Sequence, residues 1–246
     1  MCKNCMPGSL VRRPYRDERV WGSTIKGPRA IFSTYSRGER IADGLIHVLG
    51  VTAGCIGVAV LIAIALLRDS ALLTLSLTLY GCGLLAMLTF SALYNTSAHP
   101  ARRALLRRFD HAAIFIMIAG SYTPFALLKI GGALGWGLVG FVWLVAAGGA
   151  AIKLLRPHYL EGRTVAVCLL LGWTVVVAFG PLAAALPGWS LALLTAGGLL
   201  YSVGVVFHLW ERLAFNKAIW HGFVLAGASC HYAAILGAVA LPGTTA

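Results

Sequence analysis

From residue 44 onward the chain reads as long apolar runs broken by short polar gaps, without the narrow apolar stripe of a helix that lies half in water. A bilayer core about 30 Å thick needs roughly 20 apolar residues per helix. Seven runs fit: 44–67, 71–94, 110–128, 133–152, 164–186, 191–210 and 218–241. The third and fourth are short and separated only by "KIGGALG", where a lysine and a glycine cluster predict a turn rather than one long helix. The pattern predicts an all-α integral membrane protein with a seven-helix transmembrane domain over 41–243, preceded by a flexible tail over 1–40.

Composition agrees: 59% of residues are hydrophobic and only 11% charged, against about 25% charged in an ordinary soluble domain. The net charge of +12 would suit nucleic acid, but its distribution does not. Nine of the twenty Lys and Arg lie in the first forty residues, and most others fall in the gaps between apolar runs. With a cytoplasmic N-terminus, 18 of these cations lie inside and only Arg68 and Lys129 outside. That bias predicts an N-in, C-out multi-pass protein of the cell membrane, the inner membrane in a Gram-negative cell. Its expected partner is membrane lipid, not nucleic acid. The first forty residues lack the apolar core of a signal peptide, so no cleavage is expected.

Cys55, Cys82, Cys168 and Cys230 fall within apolar runs and are expected to pack as small hydrophobes. Cys2 and Cys5 make one CxxC, short of the two pairs, or pair plus histidines, that hold zinc.

On the predicted topology the unusual polar residues share one depth, near the cytoplasmic boundary. Asp43 and His47 stand one turn apart in the first helix, Ser91 and Asn95 at the end of the second, and Lys217 and His221 at the start of the seventh. Asp110 and His111 open the third run, and His208 lies near the end of the sixth. Residues at i and i+4 share a helix face. Several helices supplying polar groups at one level point to a polar pocket open to the cytoplasm or inner leaflet. His231 lies ten residues beyond His221, about 15 Å deeper, too far to share an ion with it. It is expected to be a buried, hydrogen-bonded histidine.

"ERIADGLIHVLG", "SALYN", "RRFDHAAIFIMIAGSYTPF" and "AIWHGFVLAGASCHY" resemble the motifs of the hemolysin III family, within the progestin and adipoQ receptor superfamily. The resemblance covers roughly 38–241. It implies a zinc ion held by three histidines, one ending an SxxxH motif on helix 2 and two in an HxxxH motif on helix 7, with a helix-3 aspartate acting on bound water. It also implies, by analogy with alkaline ceramidases, hydrolysis of a lipid amide. Here the first motif ends in Asn95 and the second begins with Lys217, leaving His221 as the sole matching ligand, with Ser91 and Asp110 retained. An amide oxygen is a poor zinc donor, and a protonated lysine cannot ligate.

The resulting expectation is a lipid-interacting or signalling membrane protein that has lost most of its family's zinc ligands. Lys217 would stand where the metal stood and pair with Asp110. We expect no resident cofactor, zinc being the one candidate. A membrane-embedded metal-dependent hydrolase, with Asp110 and Ser91 as catalytic residues, is the first alternative. A cytolytic membrane protein is the second.

Overall fold

The computed structural model describes residues 36–159 and 162–241, so most of the basic tail, with Cys2 and Cys5, lies outside the described residues. Among the described residues, seven helices are long and apolar enough to cross a membrane: α1 (Arg37–Leu67), α2 (Ala71–Thr96), α3 (Pro100–Ile130), α4 (Gly132–Leu155), α5 (Thr164–Ala185), α6 (Gly188–Leu209) and α7 (Asn216–Ala240). No strand occurs among the described residues.

Two helices start more than a turn before their apolar runs. α1 begins at Arg37 because Ser36 and Glu39 form a capping box: the Ser36 hydroxyl accepts from the Glu39 amide at 3.1 Å, and the Glu39 carboxylate accepts from the Ser36 amide at 2.6 Å. α3 begins at Pro100, where a proline's missing N–H costs nothing. Asp110 therefore sits almost three turns inside α3, not at its head, and the helix dipole does not account for it. Long arginine side chains allow this, since they can run out of the apolar zone from a helical backbone. Arg103 does so over the Tyr94 ring, 5.0 Å from its centroid.

The turn expected between the third and fourth crossings is present. Gly131 and Gly132 take φ of 63° and 55°, a left-handed pair that suits glycine. Lys153, read from sequence as a connection charge, is instead buried in the last turn of α4, and its ammonium donates to the Tyr159 carbonyl at 3.2 Å.

α5 is interrupted by a tight 3-10 segment, Thr174–Ala178. Pro181 explains it, having no N–H to offer the Val177 carbonyl and a ring that crowds it. Backbone groups freed inside a bilayer need partners. Tyr122 of α3 supplies them: its hydroxyl accepts from the Val175 amide at 2.7 Å and donates to the Gly172 carbonyl at 2.6 Å.

Helix contacts run from α1 to α2, α2 to α3, α3 to α5, α5 to α6, α6 to α7, and from α7 back to α1, while α4 packs chiefly on α3. Lipid tails are as apolar as leucine, so close packing and interhelical hydrogen bonds must hold such a bundle. Glycines give the closest approaches. A methyl group at Gly83 would stand 3.0 Å from the Met117 Cα, and one at Gly120 would stand 2.9 Å from the Leu79 carbonyl oxygen. Gly197 and Gly227 oppose each other in the same way between α6 and α7. Polar cross-links add to this: Trp143 donates to Thr123, Trp173 to Ser202, and Tyr232 to the Gly57 carbonyl, at 3.0, 3.1 and 3.0 Å. Outward faces carry exposed leucines and valines, among them Leu45, Leu144, Leu170 and Val177, as a lipid-facing surface does.

His231 behaves as expected. Its Nε2 stands 3.3 Å from the Leu194 carbonyl oxygen, and its ring meets Tyr201 edge-on. It ties α7 to α6, and Gly197 leaves room for the imidazole. Cys55, Cys82, Cys168 and Cys230 are free thiols; the first two are exposed and the others half-buried.

Candidate functional site

The contact between the first and last helices builds the site. Asp43 and His47 share one face of α1, and their side chains meet His221 of α7. The Asp43 Oδ1 is 2.5 Å from the His221 Nδ1, a charge-assisted hydrogen bond between residues 178 apart in sequence. The Asp43 Oδ2 stands 3.6 Å from the His47 Nε2. The two imidazole centroids are 4.4 Å apart, with ring planes inclined at 53°. Ligand atoms of all three residues fall within 4.8 Å of one another, close enough to hold one metal ion.

Glu39 fixes this geometry from the edge. One carboxylate oxygen closes the cap of α1, and the other accepts from the Phe215 amide at 2.9 Å. Phe215 caps α7 with φ of 59°, a left-handed conformation uncommon outside glycine. The same carboxylate thus holds the heads of α1 and α7 together, and with them Asp43 and His221.

A second pair lies between α2 and α3. Ser91 lies within electrostatic reach of Asp110, and the adjacent rings of Phe90 and Phe109 stack with centroids 5.1 Å apart. Asp110 is also within electrostatic reach of His47 and Arg107, which links this pair to the first. Lys217, one turn before His221, is within electrostatic reach of Asp43 and Arg103. The field of Asp43 reaches Lys217, and Ser91 lies near Asp110. His208 is exposed and packs on Trp220, 5.0 Å between centroids, as an interfacial residue would.

The positions where the motifs imply zinc ligands are held by Asn95, Lys217 and His221. The Asn95 amide nitrogen donates to the Ser91 carbonyl at 3.0 Å, an ordinary turn-to-turn bond along α2. Lys217 brings a cation. His221 faces α1, where it meets Asp43 and His47. Sequence reading placed Asp43 and His47 in the polar level but not among the site residues. Their i, i+4 spacing was the available signal; their partner 174 and more residues away was not visible.

A helical bundle of this kind, apolar outside and polar at one end, defines a multi-pass integral membrane protein. Residues 37–232 match the model of the family described as Haemolysin-III related, and the chain belongs to that family. It is 37% identical over 198 residues to "Hemolysin-3" of Bacillus cereus, covering 80% of this chain and 90% of the relative. It is 36% identical to the "Hemolysin-3 homolog" of Bacillus subtilis (strain 168), covering 80% and 93%. It is 29% identical to the human "Monocyte to macrophage differentiation factor", covering 80% and 83%. The human relative supports the wider link to the progestin and adipoQ receptor superfamily.

Proposed function

We propose that this protein binds a membrane lipid by its polar headgroup, in a pocket at the cytoplasmic end of the bundle, and acts by holding or sensing that lipid. The supporting observation is the gathering of Asp43, His47, Ser91, Asp110, Lys217 and His221, from four helices, into one polar level beneath an apolar exterior. Ionisable groups at membrane depth are costly and are functional by default. A headgroup fits this chemistry: Lys217 offers a cation for a phosphate or carbonyl, and the imidazoles and Ser91 offer further donors. The charge bias of the connections supports a cytoplasmic N-terminus in the cell membrane, which puts this level at the inner leaflet. The test is mass spectrometry of lipid that co-purifies with the protein in mild detergent. Wild type is expected to retain one headgroup class above its share of the bulk membrane. Lys217→Gln is expected to reduce that enrichment about tenfold, the worth of one charge-assisted contact. Matching lipid profiles for wild type, the variant and an unrelated seven-helix protein would remove the reading.

Hydrolysis of a lipid amide or ester is the second reading, favoured by one observation. The His221 Nδ1 is held by a carboxylate at 2.5 Å, an arrangement that fixes the tautomer and orientation of a general base. Such a base contributes about 10²–10⁴-fold to a rate. If it operates, His221→Ala should slow turnover of a fluorescent lipid amide by about that factor, and Asp110→Asn should lower it as well. Equal turnover in wild type and His221→Ala would leave binding without chemistry.

A further inference from the structure

The polar level contains two groups that hydrogen bonding does not satisfy, the His47 Nε2 and, at the head of α7, the Asn216 Oδ1. His47 is 7% exposed, and its Nε2 has no hydrogen-bond partner. It faces the Asp43 Oδ2 from 3.6 Å, an ion-pair distance beyond hydrogen-bond range, while the other carboxylate oxygen, Oδ1, bonds His221. Buried polar atoms are nearly always paired, so an orphan demands an explanation. One carboxylate and two imidazoles leave one ring nitrogen unpartnered, whereas an ion between them would use all three groups.

We propose that Asp43, His47 and His221 form a three-ligand site for a divalent transition-metal ion, with zinc as the reference ion, between α1 and α7 rather than between α2 and α7. The donor set suits it. Imidazole nitrogens and a carboxylate oxygen are the ligands of zinc and its neighbours, and two histidines with one carboxylate leave a fourth position open. The spacing also suits it. Two ligands about 2.1 Å from a tetrahedral ion lie about 3.4 Å apart. The Asp43–His47 distance of 3.6 Å is already near this value, and all three ligand atoms lie within 4.8 Å. The Asp43–His221 contact, at 2.5 Å, has to open by about 1 Å, the scale of a small side-chain rotation. The backbone need not move, because Asp43 and His47 are fixed on one helical face and Glu39 already joins the ends of α1 and α7. Nearby charge acts in both directions. Asp110, within reach of His47, favours a dication, and Lys217, one turn from His221, opposes it.

This site differs from the arrangement implied by the family motifs, and the difference can be measured without any activity. The full-length protein would be purified in detergent, stripped with chelator, and titrated with zinc against a chromophoric competitor. Wild type should bind about one zinc per chain. His47→Gln and Asp43→Asn, which preserve polarity, should each weaken binding by more than about 100-fold. Asn95→Ala should leave it unchanged, and Lys217→Gln should tighten it several-fold by removing a like charge. X-ray absorption of zinc-loaded wild type does not depend on any variant folding. It should show only nitrogen and oxygen neighbours, at about 2.0–2.1 Å. Three results would overturn the proposal: no zinc retained by wild type, binding that depends on Asn95 but not on His47, or sulfur neighbours at about 2.3 Å, which would place the ion on cysteines.

Discussion

Asp43→Ala is expected to cost the folded protein about 3 kcal/mol, read as a lowered unfolding midpoint in detergent with chelator present, so that the side-chain pair is measured without an ion. A hydrogen bond to a charged group contributes about 1.5–3 kcal/mol, and Asp43 makes such a bond to His221 at 2.5 Å. Its removal leaves the His221 Nδ1 unpaired in a half-buried setting and takes away the carboxylate that stands 3.6 Å from the His47 Nε2. Asp43→Asn retains an oxygen acceptor and should cost about half as much. The double variant Asp43→Ala/His221→Ala supplies the control. If the pair acts as a unit, the two losses are strongly non-additive, with an interaction energy above about 1 kcal/mol. Additive losses would mean that the contact between α1 and α7 is held by packing alone.

The seven crossings were legible because their cause is local. A 20-residue apolar run needs no knowledge of its neighbours, and Gly131–Gly132 marks its turn through backbone freedom alone. Helix starts were less legible where polar residues continue the helix. Pro100 and four arginines read as a connection, yet they form the first turns of α3. This moved Asp110 from a helix head into the body of the bundle. The site was legible as a level but not as a set of partners. Asp43 and His47 declare a shared face by spacing, but whether that face meets α2 or α7 depends on how the ring of helices closes. The reading of Asn95 and Lys217 as replacements for ligands did not anticipate that a carboxylate and an imidazole from α1 would reach His221. Glu39, which joins the heads of the two helices, was counted with the tail.

Gly120→Leu is expected to be among the most damaging single substitutions in the bundle, costing about 3 kcal/mol or more. The cause is backbone, which cannot yield by changing rotamer. A Cβ at this position would stand 2.9 Å from the Leu79 carbonyl oxygen and 3.2 Å from the Tyr80 Cα, so α2 and α3 would have to separate. Gly83 faces the Met117 backbone on the other side of the same crossing, so neither helix can roll away without a second clash. Separation there also acts on Ser91 and Asp110, which face each other across that interface within electrostatic reach. Gly120→Ala should show the same sign at smaller size, about 1–3 kcal/mol. Gly137 is the matched comparison: it lies within α4, and a Cβ there meets nothing within 4 Å. Gly137→Ala should stabilise by about 0.5–1 kcal/mol, because only the conformational freedom of the unfolded chain changes. Thermal unfolding of the three variants in one detergent reads all of this. Equal midpoints for Gly120→Ala and Gly137→Ala would mean that the α2–α3 crossing is looser than its backbone distances indicate, and would remove the reason for expecting Ser91 and Asp110 to be held in register.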